Sequence, residues 1–264
     1  PSDDPTAADR HIDVTVNDGL RDSAVATTTV AVTPVDDPTT ATAPDAIITN
    51  YGTGNNNTFS VADWMLTSND TDVDGATING VGGNLGLASL SLANGAVTIR
   101  DNGAAGGSFT YTVANPGPGV GATAVTVSQD TSGALDGTDN AEIIIGNSSN
   151  STINGRGGSD IIVGGGGNDT ISAGDGDDTI VWNASGNSTD GRDTVDGGSN
   201  GTAGDTFVIN GSSAAETYTV YTRADWVALG GSGNNGHTAA NSTEIVITRG
   251  GTTNNSVIAE LRDI

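Results

Sequence analysis

The chain has 264 residues, of which 34% are hydrophobic and 4% aromatic, too few for one large core and enough for several thin ones. Its 28 Asp and 4 Glu face 8 Arg and no Lys, a formal charge of −24 that makes nucleic acid a poor partner and suits hard divalent cations, calcium first. With no cysteine, disulfides, thiolate zinc sites and thiol nucleophiles are excluded, and no stretch approaches the apolar length of a membrane-spanning helix.

Forty Gly among runs of Ser, Thr, Asn and Asp predict strands and turns rather than helices, hence an all-β protein. The chain begins at Pro1 with neither Met nor a signal-peptide pattern and stops in strand-like text, which reads as a segment of a longer protein. Residues 1–38 hold two alternating runs, HIDVTVNDG and AVATTTVAVTPV, bounded by the linker punctuation Asp3-Asp4-Pro5 and Asp36-Asp37-Pro38. They make two strands without the rest of a sheet, and a lone ribbon is marginal in water.

Residues 39–130 carry TFSVAD, ASLSL, AVTIR, SFTYTV and TAVTVS at the spacing of a β-sandwich, with Trp64, Phe109 and Tyr111 as core candidates. The text SVADWMLTSNDTDVDG and GSFTYTVAN resembles the cadherin-like, immunoglobulin-fold repeats of large bacterial adhesins. That resemblance implies an immunoglobulin-like or cadherin-like sandwich, with residues 1–38 similar to the last two strands of another. Asp70, Asp72 and Asp74 match the first half of an EF-hand loop, but Val81 stands at the twelfth place, where a bidentate Glu belongs. They are candidates for an interdomain or loop calcium site, together with Asp36 or Asp37, against the alternative of an acidic turn between strands.

Residues 131–210 contain a repeat. Set in nines from Gly137, the text reads GTDNAEIII, GNSSNSTIN, GRGGSDIIV, GGGGNDTIS and AGDGDDTIV, with Ile144, Ile153, Ile162, Ile171 and Ile180 at the eighth place. Five such coincidences have a chance probability on the order of one in a million. Six turn-forming residues and a three-residue strand make one nonad, and two nonads complete one coil, with the eighth-place Ile pointing inward. The repeat resembles the RTX (repeats-in-toxin) family of calcium-dependent secreted bacterial proteins, which implies a parallel β-roll. After Val181 the frame slips, but GRDTV from Gly191 and GDTFV from Gly204 restore the signature as two further coils with insertions. Residues 211–264 read as antiparallel cap strands (TYTVYT, TEIVIT, SVIAEL), with one helical turn over residues 224–229.

Eighteen residues per coil stack Glu142, Asp160 and Asp178 on one edge and Ser151 and Asp169 on the other, Ser151 offering no carboxylate. By the RTX resemblance, calcium is held by the sixth-place acids and by turn carbonyls, here those of Gly155, Gly157, Gly164, Gly166, Ala173 and Asp175. Asp193 and Asp205 follow as the acids of the two slipped coils. Gly197-Gly198-Ser199-Asn200-Gly201 satisfies G-x-S-x-G, with Asp205 and His237 following in hydrolase order, yet a nucleophile elbow needs an apolar strand before its serine and a helix after it. His11 and His237 form no H-E-x-x-H motif, so the segment is expected to be non-enzymatic.

Together these readings describe a calcium-binding structural segment of a secreted bacterial adhesin or surface-fibre protein, placed outside the cell or at its surface. The alternatives are the RTX tail of a secreted protease or lipase, and a filament subunit in which residues 11–35 of one copy add to an open sheet edge at residues 256–264 of the next.

Overall fold

A computed structural model describes residues 9–32, 38–42, 45–51, 57–72, 75–101, 106–114, 121–130, 133–184, 190–230, 242–252 and 254–264. Asp36, Asp37, Asp74 and His237 lie outside these residues. Strands β1 (Arg10–Val14) and β2 (Ala26–Val30) come first, followed by β3 (Asp45–Thr49), β4 (Thr58–Ala62) and helix α1 (Asp63–Leu66). The N-terminal half continues through β5 (Ile78–Leu85), β6 (Leu87–Ala93), β7 (Ala96–Asp101), β8 (Gly106–Val113) and β9 (Thr123–Gln129). Then come the short strands β10 (Ala134–Asp136), β11 (Ile143–Ile145), β12 (Thr152–Gly157), β13 (Ile161–Val163), β14 (Thr170–Gly176), β15 (Thr179–Asn183), β16 (Asp193–Asn200) and β17 (Thr206–Asn210). Strands β18 (Tyr218–Thr222), β19 (Ile245–Arg249) and β20 (Val257–Arg262), with helix α2 (Arg223–Ala228), end the chain.

From β10 to β17 successive strands alternate between two parallel stacks. One is β10-β12-β14-β16 and the other β11-β13-β15-β17. Register places Leu135, Ile153, Ile171 and Val195 in one inward column and Ile144, Ile162, Ile180 and Phe207 in the other. The five eighth-place isoleucines are buried in a single cluster, so one apolar residue per nonad builds a narrow core that closes only by stacking. The coil from Ile171 to Val195 takes 24 residues and that from Ile180 to Phe207 takes 27, so the insertions after Val181 leave the ladders in register.

One sheet crosses the expected boundary near residue 130. Strand β3 adds parallel to β11, pairing Ile47 with Ile143 and Ile48 with Ile144, and pairs on its other side with β9, so one eight-stranded sheet runs from β17 to β5. Its outward face over the roll carries Ile143, Ile145, Ile161 and Val181, all buried against Phe59, Val61, Met65, Leu66, Val97 and Ile99 of α1 and the three-stranded sheet β4-β7-β6. The N-terminal half is thus two packed sheets, one of them shared with the roll. Phe109 and Tyr111 are buried in this core, whereas Trp64 is 41% exposed, because Met65 and Leu66 occupy the inward face of a four-residue helix.

At the other end, β20 extends the roll in parallel on β16, pairing Leu261 with Val195, and only then do β19 and β18 add antiparallel. The open edge expected at residues 256–264 is therefore filled on both sides. Trp226 of α2 packs with Val246, Val257 and Tyr221 as a small separate cluster. Among the described residues, strands β1 and β2 pair only with each other, and both are exposed throughout. Among the described residues no helix is long and apolar enough to cross a membrane.

Candidate metal centres along the turn rows

Two rows of turns link the stacks. One row leads through Glu142, Asp160, Asp178 and Asp205, and the other through Ser151, Asp169 and Asp193. In both, a sixth-place carboxylate accepts the backbone N–H of the sixth-place residue one coil earlier. Asp160 Oδ1 takes Glu142 N–H at 2.8 Å, Asp178 Oδ1 takes Asp160 N–H at 2.8 Å, and Asp205 Oδ1 takes Asp178 N–H at 2.8 Å. In the second row Asp169 Oδ1 takes Ser151 N–H at 2.7 Å and Asp193 Oδ1 takes Asp169 N–H at 2.9 Å. An Asp at this place therefore closes each turn onto its neighbour with one oxygen.

The other oxygen has no such role. Oδ2 of Asp160, Asp169, Asp178 and Asp205 is buried without a hydrogen-bond partner, a costly state for an ionised oxygen unless a cation meets it. Glycine keeps the space beside it open. A Cβ built on Gly155 would stand 2.6 Å from Asp160 Oδ2 and closer still to the carbonyl oxygen of Ala173, one coil on. The same pairing recurs at Gly197, flanked by Asp205 Oδ2 and the Asp263 carbonyl, and Gly164 faces Asp169 Oδ2. Carboxylate and carbonyl oxygens thus converge on pockets that only a missing side chain leaves free, a donor set that fits a hard cation such as calcium.

Burial drives the carboxyl pKa of Asp160 up to about 8 and those of Asp169 and Asp178 up to about 6, with Asp205 raised for the same reason. Asp193 rises to about 8, again mainly by burial and then by the charge of Asp190. Burial thus disfavours the ionised form of these carboxyls unless a cation compensates it. We expect Gly155→Ala, which drives a methyl into the Ala173 carbonyl and Asp160 Oδ2, to cost about 1–3 kcal/mol by overpacking and to remove one calcium site. Gly121→Ala, with open space around it, should change neither. Melting and calcium titration of the two variants check this.

Other expected ligands are placed differently. Glu142 bends back onto its own turn, where Thr138 N–H donates at 2.9 Å and the Thr138 hydroxyl donates to the second oxygen, so its longer side chain caps the first coil. Ser151 donates to the Ser149 carbonyl and accepts from Asn50 Nδ2. Gly157 and Asp175 stack as third-place residues of the first row, the Asp175 carbonyl 3.8 Å from a Cβ on Gly157. Gly166 is buried in the second row and donates to the Asn147 carbonyl.

In the N-terminal half, Asp70 accepts from Thr42 N–H at 2.6 Å and from the Tyr111 hydroxyl at 3.0 Å, while Asp72 accepts the Thr39 hydroxyl at 2.5 Å. Their carboxylates tie β-strand connections together, and neither belongs to a group of three acidic side chains within ligand distance among the described residues. Ser199 of the G-x-S-x-G text sits within β16 opposite Asp175, with no helix after it.

The only acidic group of three gathered within ligand distance among the described residues is Asp169, Asp190 and Asp193. Asp190 was missed by the repeat reading because it lies in the insertion after Val181, outside the nonad frame.

Among known families, the chain matches the RTX calcium-binding nonapeptide repeat, in four copies, over residues 136–171 and 155–181. No curated protein and no solved structure is matched. RTX nonapeptide repeats bind calcium, which makes the matched turns of the roll calcium-binding repeats, and such repeats are typical of proteins secreted by bacteria.

Proposed function

We propose that the chain is a calcium-binding structural segment of a secreted bacterial adhesin or surface-fibre protein, whose roll folds on calcium outside the cell and which performs no catalysis itself. The observation that carries this reading is the line of buried, partnerless Oδ2 oxygens at Asp160, Asp178 and Asp205, each belonging to a turn locked to the preceding coil by its other oxygen. Binding to the folded roll alone would supply stability that a thin core of one isoleucine per nonad lacks. A calcium-poor interior and a calcium-rich exterior would then decide where the roll folds.

The adhesin reading, rather than the tail of a secreted hydrolase, is supported by the N-terminal half. It is built of strands, it shares a sheet with the roll through β3, and its text resembles adhesin repeats. Calcium titration of the full chain should give about three to five bound ions. Failure to bind calcium at millimolar concentration would end the reading. Deleting the segment from its parent protein separates the two parent classes: loss of surface attachment supports the adhesin, and loss of secreted protease or lipase activity supports the hydrolase tail.

A further inference from the structure

The second turn row departs from the nonad where its third turn begins. Val181 pairs with Val163, so Trp182 falls opposite Gly164, at the place where the regular repeat has its first glycine. Instead of turning there, the chain runs on as β15 to Asn183 and returns at Asp190, which bridges Gly167 in parallel. Gly191 then donates to the Gly167 carbonyl at 2.8 Å, and the Arg192 N–H bonds to Asn168 Oδ1 at 2.9 Å. The insertion thereby delivers a carboxylate to a position that glycine-turn backbone occupies elsewhere.

Asp169, Asp190 and Asp193 are 2%, 8% and 2% exposed, and one carboxylate oxygen from each lies within 4.8 Å of the others. They accept hydrogen bonds from backbone N–H groups: Ser151 to Asp169, Asn183 to Asp190 at 2.7 Å, and Asp169 to Asp193. Asp190 Oδ1 and Asp169 Oδ2 remain buried with no partner. The ion pairs of this region go elsewhere, Arg192 to Glu260 and Arg249 to Glu216. Three buried carboxylates with two orphaned oxygens and neutral donors need a cation more than any regular turn of the roll does.

We propose that Asp190 of the insertion joins Asp169 and Asp193, two sixth-place acids of the second row, in a three-carboxylate calcium centre, and that it is the tightest site of the chain and the first to fill. The proposal rests on the reading of the chain as a calcium binder. Ligand charge count sets calcium affinity, and the regular turns bring one orphaned carboxylate oxygen to each glycine pocket where this centre brings two, with a third carboxylate beside them. The centre also anchors the junction with the cap. The Gly191 carbonyl, next to Asp190, accepts the Trp182 indole N–H at 3.1 Å, and Trp182 meets Tyr218 edge-on at 6.4 Å with Arg249 over its ring.

The test is calorimetric titration of the full chain with calcium alone, comparing wild type with Asp190→Asn and Asp190→Glu. Asn keeps an acceptor for the Asn183 N–H while removing the charge, and Glu keeps the charge. The wild type should show one site tighter than the rest. Asp190→Asn should weaken that site at least tenfold and leave the others in place, and Asp190→Glu should retain it within tenfold. A wild-type isotherm from Asp190→Asn would overturn the centre while leaving the roll's calcium binding intact. Equal loss in the Asn and Glu variants would also overturn it, showing that Asp190 acts through packing. A wild-type chain that binds no calcium would overturn the reading of the roll as well.

Discussion

Chelating calcium from the full chain at neutral pH should melt the roll, and lowering the pH without calcium should restore part of its stability. The first effect follows from linkage. Each site held at about a hundredfold excess over its dissociation constant contributes about 2.7 kcal/mol, so three to five sites together contribute about 8–14 kcal/mol, as much as the whole stability expected of a small domain. The second effect follows from burial. Asp160 and Asp193 have folded pKa values of about 8, Asp190 about 7, and Asp169 and Asp178 about 6, all above the unfolded value near 4. Without calcium the fold therefore binds more protons than the unfolded chain between about pH 4 and pH 8, and its stability falls as pH rises through that window. With calcium the dependence reverses, because protons compete with the ion for the same oxygens. Melting curves by circular dichroism at pH 5 and pH 8, each in calcium and in chelator, check both signs.

Ile171→Ala should destabilise even the calcium-saturated chain by about 2–5 kcal/mol, whereas Asp160→Asn should chiefly lower calcium affinity. Ile171 is 2% exposed between Ile153 and Val195 in the inward column, and nothing in a roll this narrow can move in to fill the cavity that Ala leaves. Asp160→Asn is nearly isosteric and can still accept the Glu142 N–H, so the turn closes while the charge that draws the ion is lost. Thermal melts at saturating calcium beside titrations at fixed temperature separate the two. Equal losses of affinity and of saturated stability in both variants would contradict the division between core and ligand faces.

The roll was legible because its physics repeats at fixed intervals. Isoleucine at every eighth place and a turn acid at the sixth could be read without any knowledge of neighbours, and the 18-residue coil places Glu142, Asp160 and Asp178 in one row. What the stack packs against was written more faintly. The nonads III, IIV and TIV carry apolar residues beside the eighth-place Ile, while TIN and TIS carry polar ones, and only the first set has its outward face covered by α1 and the three-stranded sheet. The alternation marks a covered and a bare side of the roll. The insertion of β3 beside β11 had no local signal, since DAIIT reads equally well as a strand of any buried sheet. Asp190 was hidden for a related reason: its partners are set by where an insertion returns to the ladder, and that point is fixed by pairing with Gly167 rather than by spacing. Glu142 shows the converse, an acid in the right frame whose extra methylene lets it satisfy its own turn through Thr138.

In the function proposed above, calcium and not the apolar core alone holds the roll folded. Hydrogen exchange of the full chain, followed peptide by peptide by mass spectrometry at neutral pH, tests it most directly. Amides of residues 133–184 and 190–210 should be protected in calcium, lose that protection on chelation, and regain it when calcium is returned. Equal protection of these strands in calcium and in chelator would contradict the account.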